Sequence, residues 1–275
     1  MANLDKFYTI PSYSKKCIDT VFNRYNREDF YLVIEPSAGD GSFFHQIVHP
    51  NKIAIDITPE HPDICQLDFL KYCPAIPKGK ILTIGNPPFG RVSSLAIKFF
   101  NHAAPWSSVI AFIVPRTFRK TSVQNKLSPY FHLVHDEDVP TSPCQFTPKM
   151  GVKCGFQIWE RREVERDIIH LPTKHPDWDF LSLGALDKSG QPTPPEGADF
   201  AIRAYGGKIG EIKKENLGDL RPKSWHWIKS NIDSDILSRR FETLDYSNSL
   251  NTARQNSMGK SELVQLYSEA FDLVV

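Results

Sequence analysis

Two apolar periods take turns along the first part of the chain. Between Tyr13 and Tyr25 the apolar positions are 17, 18, 21, 22 and 25, a stripe along one side of a helix. Beyond it come short runs that are apolar almost throughout: Tyr31-Leu32-Val33-Ile34, Ile53-Ala54-Ile55 and Ile81-Leu82-Thr83-Ile84. A run without polar alternation suits a strand covered on both faces. The pattern predicts strands near 31–35, 52–56, 64–67, 80–85 and 108–114, and later ones near 130–135 and 153–160. A helix is predicted over 93–103, where Leu95, Ile97, Phe99 and Phe100 cluster. Strands and helices in alternation build an α/β, doubly wound, mostly parallel sheet.

After Arg162 the texture changes. Pro172, Pro176, Pro192, Pro194 and Pro195 punctuate a loop-rich segment. Phe200 to Lys208 then reads as a strand entering a turn, and 259–271, with Leu263, Val264, Leu266 and Tyr267, as a closing helix. The chain thus divides into a doubly wound domain, residues 1–165, and a smaller α+β region, residues 166–275. It contains no internal repeat or low-complexity tract.

Two turns carry candidate chemistry. Asn86-Pro87-Pro88-Phe89 follows directly on the apolar run ending at Gly85. Two consecutive prolines fix two φ angles and remove two backbone donors, so the strand stops with its last carbonyls held in one orientation. The Asn86 side-chain oxygen and the Pro87 carbonyl can then accept both hydrogens of one amino group, while Phe89 offers a flat face to a planar ring. An exocyclic amine on a nucleobase fits that description; a proline-stiffened loop over a buried aromatic is the plainer alternative.

The second turn is Glu35-Pro36-Ser37-Ala38-Gly39-Asp40-Gly41-Ser42. Its small residues let the backbone turn tightly beside a ligand, ahead of a helix predicted to begin near Ser42. It lacks both the lysine of a phosphate-binding loop and the three-glycine dinucleotide fingerprint, so a phosphate is not favoured. Asp56, 15 residues after Gly41, closes the next strand, where doubly wound sheets hydrogen-bond a ribose hydroxyl pair. Asp68 follows a third short strand and suits an adenine amino group, with Phe69 against the ring.

In this order the pieces resemble the class I S-adenosylmethionine-dependent methyltransferases, specifically the N6-adenine enzymes of the NPPF type, with cofactor motifs first and a target-recognition region last. The resemblance runs from Lys6 to about Arg161 and includes Phe7-Tyr8-Thr9-Ile10-Pro11, similar to the family's upstream motif. It implies a Rossmann-like sheet with one antiparallel strand, a catalytic domain over 1–165, a target-recognition region over 166–275, and S-adenosylmethionine as cofactor. Thr9, Glu35, Ser37, Gly39 and Asp40 would surround the methionine and sulfonium portion, Asp56 the ribose, Asp68 and Phe69 the adenine. Asn86, Pro87, Pro88 and Phe89 would be catalytic, with Asn86 also beside the cofactor. Ile113 to Phe118 resembles the strand and turn after the catalytic strand, and Gln145-Phe146-Thr147-Pro148 the hairpin whose aromatic, Phe146, stacks on the target base. Two departures stand out: Ile10-Pro11 where the family often has two prolines, and Phe89 where tyrosine or tryptophan is usual.

The chemistry follows from the groups themselves. An adenine N6 lone pair is delocalised into the ring, which makes the amine a poor nucleophile. Two acceptors out of the ring plane pull its hydrogens toward tetrahedral geometry and stabilise the positive charge that develops on methylation. Inside a duplex the nitrogen is unreachable, so the target must be single-stranded or flipped out, with stacking on Phe89 and Phe146 offsetting lost base stacking.

Composition narrows the rest. A formal charge of +1 gives no global footprint for nucleic acid, so any basic surface must be local. Candidates are Arg116, Arg119, Lys120 and Lys126 beside the expected catalytic pocket, and the stretch from Arg203 to Lys229, where seven basic residues face three acidic ones and Lys208, Lys223 and Trp225 are the expected contacts. Cysteines 17, 65, 73, 144 and 154 form no metal or disulfide pattern, and no metal is expected. No apolar stretch approaches the ~18 residues of a membrane span, and the first six residues lack signal-peptide character. A soluble cytoplasmic protein is the expectation. The leading function is methylation of adenine N6 in a nucleic acid, DNA favoured over RNA. An RNA adenine-N6 methyltransferase, a glutamine-N5 protein methyltransferase and a non-catalytic cofactor-binding subunit are the alternatives.

Overall fold

The computed structural model describes residues 6–75 and 79–272. They fall into two compact units, Met1–Ile168 and Ile169–Val275. The first runs β1 (Tyr8–Thr9), α1 (Pro11–Phe22), β2 (Phe30–Pro36), β3 (Lys52–Asp56), β4 (Cys65–Gln66), β5 (Lys80–Gly85), α2 (Ser94–Ala103), β6 (Val109–Pro115), α3 (Thr121–Gln124), β7 (Phe131–Asp138), β8 (Phe146–Thr147) and β9 (Cys154–Arg161).

Seven of these strands form one sheet in the order β4-β3-β2-β5-β6-β9-β7. The neighbours from β4 to β6 are parallel, and β9 alone runs against the rest, antiparallel to both β6 and β7. The apolar runs are strands because both of their faces are covered. Val33, Leu82, Ile84, Ala111 and Ile113 pack with Tyr13, Cys17, Ile18 and Val21 of α1. Leu32, Ile34, Ile81, Ile110 and Phe112 pack on the other face with Ala96, Phe99, Phe100 and Ala103 of α2. Full burial of residues this size stabilises by about 1.5–3 kcal/mol each. α1 starts at Pro11, two residues before the predicted stripe, since a proline at the first helical position gives up no intrahelical donor.

One expected element is missing. No regular helix follows the glycine turn; a single 3₁₀ turn, Phe44–Gln46, stands where one was predicted from Ser42. Only Phe43 and Ile47 are buried there, and Pro50 disfavours helical backbone at the residue before it. Instead the Gln46 side chain donates to the Ser14 hydroxyl at 2.7 Å and to the Pro11 and Ser42 carbonyls, tying the segment to α1.

The second unit adds β10 (Trp178–Phe180), β11 (Phe200–Arg203), β12 (Ile212–Lys213), β13 (Trp225–Ser230), α4 (Ser234–Glu242) and α5 (Lys260–Phe271). Its strands make an antiparallel sheet in the order β10-β13-β11-β12. Trp178, Phe200, Ile202 and Ile228 pack under Leu237 and Phe241 of α4 and Leu263, Val264 and Tyr267 of α5. Ala201, Trp225 and Trp227 face the opposite side, under Leu181, Ala198, Leu217 and Leu220.

Candidate active site

The order of the large sheet decides where the two turns meet. The chain leaves β2 toward β3 and β4 on one side and returns through β5 and β6 on the other, so β2 and β5 flank the point where the winding reverses. In such sheets ligands bind outside the carboxyl ends of strands at this point. The glycine turn leaves β2 there, and the Asn86 turn leaves β5 there. A Cβ built on Gly85 would lie 3.3 Å from Cγ of Glu35, so the two strand ends are in close contact.

Hydrogen bonds join the turns. The Ser37 hydroxyl lies 2.6 Å from the Pro36 carbonyl and 3.2 Å from the Asn86 carbonyl, with Ser37 itself at φ 55°, a left-handed conformation. The Asn86 amide donates through Nδ2 to the Phe7 carbonyl at 3.2 Å. Only the NH₂ group can face a carbonyl, so this bond fixes the orientation of the amide. Its Oδ1 receives no protein donor among the described residues. Pro87 is buried, while Asn86, Pro88 and Phe89 are half-buried; Phe89 leans on the first core.

Around the glycine turn the structure leaves polar atoms without partners. Glu35 is 2% exposed and its Oε2 is unsatisfied; Thr9, also 2% exposed, has an unsatisfied Oγ1. Burial pushes the Glu35 carboxyl well above the ordinary range; the Phe44 backbone N–H opposes this, and the Asp40 and Asp56 carboxylates add to it. Asp56 receives the Gly39 N–H at 2.8 Å and the Thr58 N–H at 2.7 Å, so it shapes the glycine turn. Its remaining lone pairs stay available to hydroxyls. Asp68 accepts from the Leu70 N–H at 3.0 Å and caps the 3₁₀ turn Phe69–Lys71. Asp40 is exposed and accepts from the Ser42 N–H.

Several expected contacts lie elsewhere. Phe146 is 4% exposed and sits in the first core, its strand β8 paired with β1. A base cannot stack on it as placed; Thr147 and Pro148 are exposed, while the ring fills the core beside the buried Gln145. Phe69 is 2% exposed, its ring against Phe99, His102 and Trp106, and so is committed to packing. Trp225 is 5% exposed and lies under the Arg203 guanidinium, 4.4 Å from its ring centroid. Arg116 and Arg119 do not form a free basic patch. Arg119 pairs with Asp136 and Asp138, Arg116 with Asp138, all at 2.7 Å. Acidic residues from β7, distant in sequence, cancel those charges. Lys120 is half-buried; Lys223 donates to Gln191 at 3.3 Å, and Lys208 is exposed.

Two neighbours of the site escaped sequence reading. The Tyr8 ring lies against the glycine turn, where a Cβ on Gly39 would collide with Cε1, and its hydroxyl donates to Glu60, which also pairs with Lys6. Glu60 and burial raise the Tyr8 phenol above its usual range, burial most. Ile57, directly after Asp56, is 54% exposed at the strand end. An apolar residue following a strand-ending acid was the available signal. Among the described residues no cluster of three or more His, Cys, Asp or Glu side chains could hold a metal ion, and no helix is long and apolar enough to cross a membrane.

No protein-family model and no curated protein matches the chain. Solved structures do. One is a provisionally assigned RNA methyltransferase from Pyrococcus horikoshii: 15% identity over 57% of this chain and 87% of that one, TM-score 0.43. Another is a provisionally assigned class I S-adenosylmethionine-dependent methyltransferase from Listeria monocytogenes: 12% identity, 61% and 64% coverage, TM-score 0.46. A third, magnesium protoporphyrin IX methyltransferase from Synechocystis with bound S-adenosylmethionine, is 11% identical over 55% and 79%, TM-score 0.37. The fold assignment rests on the chain's own strand order, a doubly wound, Rossmann-like, mostly parallel sheet with one antiparallel strand.

Proposed function

We propose that this chain transfers a methyl group from S-adenosylmethionine to the exocyclic N6 of adenine in a nucleic acid, with DNA the favoured substrate. One observation carries the reading: the Asn86 amide is pinned through its NH₂ on the Phe7 carbonyl, and the same residue's carbonyl is tied to the glycine turn by Ser37. An amine-accepting group and a candidate cofactor turn are thereby coupled at the reversal point of the sheet.

The residues present fit the cofactor. A buried carboxyl with an unsatisfied oxygen, Glu35, suits an ammonium group, and the unsatisfied Thr9 hydroxyl lies in the strand that crosses the glycine turn. Ser37, Gly39 and Asp40 belong to that turn; Asp56 would hold the ribose and Asp68 the adenine. Bound there, the cofactor supplies an electrophilic methyl on a sulfonium.

The chain's own part is binding and orientation. Asn86 Oδ1 and the Pro87 carbonyl accept the two N6 hydrogens, which localises the nitrogen lone pair and stabilises its developing charge. No general base acts first, because the nitrogen becomes acidic only after alkylation. Holding donor and acceptor in line contributes further. Phe89 is the remaining stacking platform, since Phe146 is committed to the core.

Incubation with methyl-labelled cofactor and, separately, duplex DNA, single-stranded DNA, RNA and protein extract tests the assignment, followed by digestion of labelled polymer to its components. The expected product is N6-methyldeoxyadenosine. Label in RNA adenine alone moves the substrate to RNA; label in glutamine amide, or none in any polymer, overturns the reading.

A further inference from the structure

The loop that leaves the amine-accepting turn holds an expensive conformation at its tip. Gly90 has φ 67° and ψ 178°, Val92 φ 52° and ψ 39°, and Ser93 φ 61° and ψ 15°. Left-handed backbone is ordinary for glycine, but for a β-branched residue it is an outlier that persists only when the surroundings impose it. Both ends of the loop are fastened. The Leu95 and Ala96 N–H groups reach back to the Phe89 carbonyl at 3.1 and 3.3 Å. Ser93, 3% exposed, shares a 2.6 Å hydroxyl hydrogen bond with Thr117. Held between them, Val92 is 76% exposed, more than any other large apolar side chain among the described residues.

A lone exposed apolar residue is normally unremarked. Here the residue is strained as well as exposed, where glycine or asparagine would relieve the backbone. It is also three residues beyond Phe89, a chain reach of at most about 11 Å. The Arg91 side chain, exposed beside it, makes no hydrogen bond or ion pair among the described residues, while its carbonyl accepts from the Ser94 N–H. An apolar tip next to a free cation matches a base stack flanked by phosphate better than it matches solvent.

Building on the adenine reading above, we infer that Val92 is a wedge that enters the space vacated when the target nucleotide is extruded from a duplex, with Arg91 on the adjoining phosphate. Apolar wedges between base steps offset the cost of unstacking, and a strained tip keeps the wedge erect before DNA or RNA arrives.

The test uses the full chain, Val92→Gly, Val92→Ala and three oligonucleotide substrates: a duplex with the target adenine paired, the same duplex with an abasic site opposite it, and the single strand. Each is made as DNA and as RNA. Val92→Gly relieves the backbone, so its melting temperature should equal or exceed that of the native chain. Both variants should lose tenfold or more in kcat/KM on the paired duplex and stay within twofold on the single strand and the abasic duplex. With 2-aminopurine at the target position, the fluorescence rise on protein binding should shrink in both variants. Unchanged paired-duplex activity in Val92→Gly, an equal loss on all three substrates, or a native chain active on single strands alone would each overturn the wedge while leaving adenine methylation standing. Absence of any labelled adenine from the native chain would overturn both.

Discussion

The proposed function gives Asn86 and Glu35 different work at neighbouring strand ends, and substitution should separate them. On the proposed function, Asn86→Ala removes the acceptor assigned to the developing charge, so single-turnover methylation should fall by about 10²–10³-fold, the cost typical of deleting one preorganised polar partner. Cofactor affinity, read by calorimetry, should change by less than about twofold; equal loss of both would take the assigned role away from Asn86. Glu35 is the converse case. Its folded-state carboxyl sits well above the ordinary range, chiefly through burial, so the folded chain holds a proton that the unfolded chain releases. Stability of the ligand-free protein therefore declines as pH rises past the ordinary carboxyl value. Glu35→Gln, neutral and nearly the same shape, should raise the melting temperature at pH 8 and have little effect at pH 4. In the proposed cofactor site the same change removes the carboxylate assigned to the ammonium group, and cofactor affinity should drop by about tenfold or more, the worth of one charge-assisted hydrogen bond.

The glycine turn shows what an element contributes beyond its residues. Gly39 combines φ 55° with a Tyr8 ring close against its Cα, and Gly41 follows at φ 80°. Gly39→Ala should cost about 1–3 kcal/mol in urea unfolding, from backbone strain and from displacement of the ring. Tyr8→Ala in that background should recover the part due to the ring and leave the backbone part, a double-mutant cycle with a definite sign. Failure of the cycle to show coupling would mean that β1 does not rest on the turn in solution. The short strand β1 matters for a second reason: Phe7 orients the Asn86 amide, and Thr9, two residues on, carries one of the unsatisfied hydroxyls.

At the level of the molecule, each compact unit has a core of its own. Residues 169–275 bury Trp178, Trp227, Phe200, Phe241 and Tyr267 almost completely. Expressed alone, 169–275 should unfold cooperatively in urea with a slope of about 1–2 kcal/mol/M. A broad, non-cooperative transition would show that its core is insufficient without the rest. The basic stretch of this unit is largely spent internally. Arg203 pairs with Glu211, Lys213 approaches the same Glu211, Lys214 pairs with Asp235 and Lys229 with Asp199. Exposed pairs of this kind are worth little to stability, but they lower the local charge offered to a polyanion.

Local chemistry made much of this legible along the chain. Unbroken apolar runs announced doubly covered strands, two prolines announced a rigid corner, and small residues with glycines announced a close backbone approach. Those features depend on side-chain shape and φ preference, which each residue carries wherever it goes. What a linear reading mistook was burial and pairing. Phe69, Phe146 and Trp225 look like stacking surfaces beside polar neighbours, yet each ring is packed inside. Arg116 and Arg119 look free until Asp136 and Asp138 arrive from β7, the strand at one edge of the sheet. The predicted helix after Gly41 shrank to one turn because α1 captures that segment through Gln46. These outcomes depend on partners brought together by the order of strands, and no local pattern specifies them. The same order sets the Asn86 corner beside the glycine turn, which makes two separate motifs one site.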